Sequence, residues 1–479
     1  METLGFLMEG FAVALTPYNL MFALFGAFVG TLIGCLPGLG PANGVAILIP
    51  LAFTLGLPPE TAMILLTSVY AGAMYGGRIS SILLNIPGDE PAMMTCLDGY
   101  PMAQKGRAAD ALAISAIASF AGGLIGTIGL IMLAPVLARF ALSFGPAEYF
   151  ALFLLAFATL GGITGKNPMK TVIAATLGIM ISTVGIDIST GTQRYTFGVL
   201  ELYEGIDFIL AIVGLFAISE LLFFVESRMG GGRKKMNVGK LTLTFKELVS
   251  TVPTQLRGGV LGFISGVLPG AGASLGSFIS YTLEKSVIGK KGTFGEGDIR
   301  GVVAPEAGNN GAAAGSFAPL LSLGIPGNVV AALVLSALTI HGLQPGPQLF
   351  HQNPTLVGGF MMEMLITSVL IFALGGAVAT RVFAQFQRLP GVLLVPAILI
   401  LMCVGVYVIN GRMVDLWVML GAGLAGDFLE KGNVPLAPII LGMILGPMAE
   451  QSIRRALLIS RGDPTELFTR PLSAVLAVL

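Results

Sequence analysis

Little in this chain suits an aqueous life or side-chain catalysis. Of its 479 residues only 11% are charged, where a soluble domain carries about 25%. His341 and His351 are its only histidines, too few for a histidine metal centre, and neither lies in a repeated motif. Cys35, Cys96 and Cys403 stand far apart and show neither a metal-ligand spacing nor a disulfide framework. Lys plus Arg and Asp plus Glu each number 26, so there is no basic excess and no nucleic-acid partner is expected. No basic region or small-residue cleavage site precedes the first apolar stretch, so no cleavable signal peptide is expected.

What the chain has instead is apolar residues. They make up 54% of it, with a mean hydropathy of +0.87. Runs such as "YFALFLLAFATL" (149–160), "FILAIVGLFAISELLFFV" (208–225) and "VLLVPAILILMCVGVYVI" (392–409) approach the ~20 residues needed to cross a hydrocarbon core. Such runs allow at least ten spans, so the composition predicts an all-α polytopic membrane protein seated in a lipid bilayer. Basic residues crowd the polar stretch "ESRMGGGRKKMNVGKLTLTFKELVS", which the positive-inside rule places in the cytoplasm. That stretch (227–250) divides a first transmembrane half (1–226) from a second (251–479).

The halves repeat each other. "GTLIGCLPGLGPANG" (30–44) and "GFISGVLPGAGASLG" (262–276) both read G-x3-G-x2-P-G-x-G-x3-G. "GAMYGGRISSILLNIPG" (72–88) and "GAAAGSFAPLLSLGIPG" (311–327) follow in the same order and share G-x3-G-x9-I-P-G. Two ordered matches point to internal duplication. Duplicated membrane folds with Gly/Pro interruptions at matching places are the pattern of secondary transporters, whose broken or re-entrant helices meet at a central site. The repeats are therefore expected to be homologous and inverted, in an elevator-like secondary transporter. Helix ends within the bilayer leave N–H and C=O groups that must face protein or a polar cavity. A substrate anion suits the N–H groups and a cation the carbonyls.

On this basis Gly38, Gly40, Asn43 and Gly44 of the first tip and Gly270, Gly272, Ser274 and Gly276 of the second are candidate substrate-binding residues. Arg78 joins them, because an arginine in an apolar context suits bidentate carboxylate binding. The alternative for Arg78 is a side chain snorkelling at the interface, and for the G-x3-G spacings simple helix packing. Carbonyls near the breaks, at Pro37, Asn85, Pro87, Pro269 and Pro326, with Asn309 and Asn310, are candidate cation ligands. Glu306 is a candidate for coordinating Na+ or relaying protons, whereas Asp89 and Glu90 read as helix-end carboxylates in a polar loop. Arg78 stands where the second half has Phe317, so a symmetric frame holds an asymmetric set of polar groups.

The duplicated glycine-proline motif, the IPG elements (86–88 and 325–327) and "APEAGNN" (304–310) resemble the large membrane subunit of tripartite tricarboxylate transporters, the TctA family. The resemblance spans essentially the whole chain. It implies a multi-pass permease of the bacterial cell inner membrane, importing citrate or other carboxylates on a Na+ or H+ gradient. It also implies two partners, a small four-helix-type membrane subunit and a periplasmic solute-binding protein. No cofactor or metal beyond the coupling ion is expected, and no enzymatic activity. A channel would call for a repeated filter or rings of like residues, and an intramembrane enzyme for a nucleophile–base or metal constellation. Neither pattern stands out in the chain.

Overall fold

The computed structural model describes residues 2–36, 40–163, 168–187, 190–228, 240–268, 272–375, 395–396, 399–400, 402–404, 406–407 and 411–478. Pro37, Gly38, Pro269 and Gly270 of the two tips lie outside the described residues, as do linker residues 229–239.

Helices dominate, as an apolar chain that must satisfy its own backbone requires. They run in order α1 (Glu2–Ala14), α2 (Pro17–Cys35), α3 (Pro41–Thr54), α4 (Pro59–Leu84), α5 (Ala92–Met102), α6 (Ala108–Ala141), α7 (Pro146–Ile163) and α8 (Pro168–Ser182). After a two-stranded ribbon (Gly185–Ile186 with Gln193–Arg194) come α9 (Phe208–Ile212) and α10 (Ser219–Arg228), joined by a π-helical turn. The second half supplies α11 (Phe245–Val267), α12 (Gly272–Ile288), α13 (Ile299–Gly315), α14 (Phe317–Leu323), α15 (Val329–Ile340), α16 (Pro347–Gln352) and α17 (Pro354–Gly375). The chain ends with α18 (Met413–Lys431), α19 (Ala437–Ile459), α20 (Glu466–Thr469) and α21 (Pro471–Val478). Among the described residues, three helical segments are long and apolar enough to cross a membrane: Pro17–Cys35, Ala92–Ala141 and Pro354–Gly375.

The chain folds as two compact units, Met1–Leu137 with Glu220–Gly405, and Ala138–Ser219 with Val406–Leu479. Each unit therefore draws on both sides of the basic linker. In the smaller unit α19 packs on α8 through glycine, since a Cβ on Gly178 would lie 1.9 Å from the Ile439 carbonyl. There Arg454 reaches Asp187 at 2.9 Å and Glu450 at 2.7 Å, and Arg194 binds the same two carboxylates.

The larger unit is built on backbone-to-backbone contact. A Cβ on Gly30 would lie 2.2 Å from the Val69 carbonyl oxygen, and one on Gly34 2.1 Å from that of Ala73. Small residues let membrane helices approach this closely, which is what drives their association in lipid. Because these contacts advance together along both helices, α2 and α4 run parallel, with α3 returning between them. The second half repeats the arrangement: a Cβ on Gly262 would lie 1.9 Å from the Gly308 carbonyl oxygen and one on Gly266 2.2 Å from that of Ala312. Here α11 and α13 run parallel and α12 returns. The helices that follow stop alike. Asn85 (φ 56) and Gly324 (φ 72) cap α4 and α14 in the left-handed region, and Ile86 N–H and Ile325 N–H then donate to the Ser80 and Pro319 carbonyls.

The same pairs fix the relation between the halves. Arg78 of α4 meets Glu306 of α13, while Tyr70, two turns earlier on α4, meets Phe317 of α14 with ring centroids 5.9 Å apart. Advance along α4 is retreat along α13–α14, so the two run antiparallel. α17 lies parallel to α4, with Glu363 beside Thr67 and Ser68 and the Gly375 carbonyl accepting from Tyr75 Oη at 2.9 Å. α6 lies parallel to α13, with Gly122 on the Ala307 carbonyl and Gly126 on that of Gly311.

Gly34→Ala and Gly262→Ala are each expected to destabilise the protein by about 1–3 kcal/mol, because the added methyl meets a backbone carbonyl that cannot yield. Gly5→Ala has nothing within 4 Å of the new methyl and serves as the control. Thermal unfolding in detergent reads the difference.

Candidate functional site

The sequence places one arginine deep in α4, and the structure decides its surroundings. The Arg78 side chain is fully buried. Its Nε lies 2.6 and 2.7 Å from the two Glu306 carboxylate oxygens, and Nη1 lies 2.7 Å from Asp89 Oδ1. The snorkelling alternative is thereby corrected: no solvent reaches this guanidinium, because two carboxylates stand where water would be. Asp89 is likewise more than a loop carboxylate. It caps α5, accepting from Ala92 N–H at 2.9 Å, and pairs with Arg78 through the same oxygen.

Glu306 is surrounded by donors. Thr95 of α5 and Ser119 of α6 donate their hydroxyls to it, the latter at 3.3 Å. The Asn310 amide donates to the Glu306 backbone carbonyl at 3.0 Å. Four helices of the larger unit thus converge on one buried ion network with formal charge −1. A buried pair of this kind is costly to desolvate and costlier to break. Not all of its polar atoms are engaged. Arg78 Nη2, Asp89 Oδ2 and both polar atoms of the Asn309 carboxamide are buried with no hydrogen-bond partner among the described residues. Asn309 follows Glu306 by one helical turn. Buried polar groups are nearly always satisfied, so such a group calls for a functional reading.

Both glycine-proline tips reach the turn that carries Asp89. A Cβ on Gly40 would lie 3.5 Å from the Gly88 carbonyl and 3.6 Å from Asp89 Cβ. From the other half, Ser274 Oγ donates to Glu90 at 3.1 Å and Ser277 Oγ to the Pro91 carbonyl at 2.8 Å. Gly272 adopts φ +55, open to glycine without penalty, and faces Asn328 of the second IPG turn. Asn328 repeats on that side what Asp89 does on the first: it caps its helix at Ala331 N–H (2.8 Å) and binds across to α4, at Tyr70 Oη (3.2 Å).

The remaining candidates divide. Asn43 is buried at the start of α3. Gly44 and Gly276 lie a turn inside their helices and face their own halves, Gly44 against Val69 and Ile33, Gly276 against Ser265 and Ala312. Asn85 is exposed, Pro87 partly so, and Pro326 is buried.

Among the buried carboxylates that the sequence reading did not single out, Glu363 stands apart by its hydroxyl partners. Glu363, in "GGFMMEMLITSVL" of α17, is 1% exposed and accepts from the hydroxyls of Thr67 (2.7 Å), Ser68 and Thr367. Its signal was available: a lone acidic residue inside an apolar span is a functional candidate by default.

Apolar helices that gather their charges and hydroxyls inward define a helical membrane protein with a polar interior. The profile of the tripartite tricarboxylate transporter TctA family matches residues 20–441, and the chain belongs to that family. It is therefore a component of a tripartite tricarboxylate transporter. Across 479 residues it is 40% identical to an Agrobacterium vitis protein described as an uncharacterized 52.8 kDa protein in the TAR-I ttuC' 3' region, covering 99% of this chain and 94% of the relative. A second Agrobacterium vitis protein, described as uncharacterized in the TAR-II ttuC' 3' region, is 40% identical over 215 residues, 45% of this chain and 88% of its own. No solved structure matches the chain.

Removing Arg78 strands two buried carboxylates, so Arg78→Met is expected to cost about 3–5 kcal/mol of stability, whereas Glu306→Gln leaves the guanidinium paired with Asp89 and should cost less. The double variant should lose less than the sum, because the two groups share one interaction. A double-mutant cycle on thermal unfolding in detergent checks both statements.

Proposed function

We propose that this chain is the large permease subunit of a cation-coupled importer of citrate-type carboxylates. In this reading it is a multi-pass protein of the bacterial cell inner membrane, served by a periplasmic solute-binding protein and a small four-helix-type membrane subunit. The observation that carries the substrate reading is the buried Arg78 guanidinium, with Nη2 unpartnered, beside a turn that both tips approach. Arginine is the side chain best matched to a carboxylate, and low dielectric strengthens the match. Helix starts on both sides add backbone N–H groups: Pro41 opens α3 after Gly40, and Gly272 opens α12.

Inverted repeats moving in an elevator-like manner are part of the proposal. The antiparallel run of α4 and α13–α14, each with its own parallel partner and returning helix, supports the inversion. The coupling ion is Na+ ahead of H+, since the tip motifs offer carbonyl oxygens and no acidic or histidine side chain. The permease reading is favoured over a channel by dissimilar tips in a two-fold frame, and over an enzyme by the absence of a group of three or more His, Cys, Asp or Glu ligands among the described residues.

Uptake of labelled citrate and related carboxylates into proteoliposomes holding the chain and both partners tests this. Gradient-dependent accumulation is expected; passive equilibration would refute the permease reading. Gly38→Val and Gly270→Val should abolish uptake at normal membrane expression, whereas Gly129→Val should be milder. If both tip variants transport normally, the tips are packing devices. Cysteine labelling at matching helix ends of the two halves should occur from opposite faces of the membrane; labelling from one face would refute the inversion.

A further inference from the structure

The structure assigns a Na+ site to the Glu363 carboxylate and the hydroxyls of Thr67, Ser68 and Thr367, between α4 and α17. It deepens the transport reading above and rests on it for its role, though not for its chemistry. Glu363 is buried in a helix apolar enough to cross a membrane, and among the described residues no ion pair includes it. A carboxylate at that depth without a countercharge must take up a proton or a cation.

Its surroundings favour the cation. Thr67 Oγ1 lies 2.7 Å from Oε2, Ser68 and Thr367 bond Oε1, and the Ser68 and Thr367 hydroxyls lie 2.9 Å apart. A cavity of about 20 Å³ adjoins Glu363, Thr67 and Thr367; Tyr70, Ser119 and Asn310 add polar groups to its wall, and Ala71, Ala313, Met364 and Ile371 add apolar ones. That is room for one water-sized occupant. Seven of the lining side chains carry an oxygen, Ser368 among them, and only Glu363 carries a charge; the one sulfur is the Met364 thioether. Hard oxygen donors select hard cations, and a single carboxylate neutralises a monovalent one.

The other half shows what this carboxylate lacks. In the repeat, Thr67 of α4 corresponds to Glu306 of α13, and each faces the helix packed parallel to its own: Glu306 faces Ser119 of α6, Thr67 faces Glu363 of α17. Glu306 has Arg78 as its cation. Glu363 has only hydroxyls, so a bound Na+ would stand to Glu363 as Arg78 stands to Glu306. Two residues belong to both places, since Ser119 and Asn310 wall the cavity and also bond Glu306. Filling the cation site would therefore orient groups that hold Glu306 beside Arg78, which is a direct physical route for coupling.

The test is Na+ binding by the purified full chain in detergent, read as a shift in thermal unfolding, with NaCl exchanged against choline chloride at constant ionic strength. A saturable Na+-specific rise is expected, with KCl ineffective. Loss of a charged ligand or of one hydroxyl to a charged site should weaken apparent Na+ affinity by about tenfold or more in Glu363→Gln and in Thr367→Val. The valine keeps the volume of threonine and serves if the glutamine variant fails to fold. An unresponsive wild-type chain, or variants that respond as wild type does, would overturn the site. Stabilisation that follows low pH and ignores Na+ would overturn it in favour of a proton on Glu363. Na+ binding with no carboxylate uptake in the partnered proteoliposomes would instead refute the transport reading and leave the site standing.

Discussion

A guanidinium placed in hydrocarbon is tolerable only where carboxylates meet it, and Arg78 is met by two that come from different parts of the chain. Glu306 arrives on α13 from the second half, and Asp89 arrives on the turn after α4. The pair Arg78–Glu306 therefore fixes where two antiparallel helices cross. Thr95 and Ser119 then fix α5 and α6 around the same carboxylate. Once these five elements are committed, little freedom remains for the larger unit. The glycine contacts that bring α2 onto α4 and α11 onto α13 supply the close approach, but being apolar they do not choose one register over the next turn. The ion network does, because a slip of one turn along α4 would leave three charges buried and unpaired.

The glycine frame was legible in the sequence for a simple reason. A helix that rests its backbone on another's carbonyls needs a missing side chain every fourth residue, and a missing side chain can be read directly. The repeat of that pattern, and the left-handed ends at Asn85 and Gly324 before each IPG, follow from local rules. Arg78 could be singled out because one charge among apolar neighbours is conspicuous. What it touches could not, since 228 residues of chain separate it from Glu306 and only the tertiary fold brings them together. Asp89 reads as a helix-end carboxylate and does cap α5 at Ala92; that cap is local and visible in the sequence, its ion pair with Arg78 is not. The surroundings of Glu363 were not legible, since its three hydroxyl partners lie on two helices and form no motif along the chain.

Duplication explains both what is shared between the halves and what is not. Asp89 and Asn328 occupy the same place, cap the same N–H and reach across to α4, yet one is charged and finds Arg78 while the other is neutral and finds Tyr70. Phe317 stands in the place of Arg78 and packs on Tyr70 and Phe360. A two-fold frame of identical contacts thus carries an ionic end and an aromatic-hydroxyl end. The frame depends on backbone geometry, which tolerates no change at its glycines. The ends depend on side chains, which are free to diverge as long as each buried charge meets an opposite charge or a set of hydroxyls. That separation allows the two halves to share one frame of contacts while presenting an asymmetric interior. A ligand without two-fold symmetry is matched better by a site with one arginine and one set of hydroxyls than by a symmetric site. Where Asn309 stands, the corresponding residue of the first half is Tyr70, and the carboxamide, like Arg78 Nη2, is buried with no hydrogen-bond partner among the described residues. The asymmetry of the polar groups follows the asymmetry of the ligand they would hold.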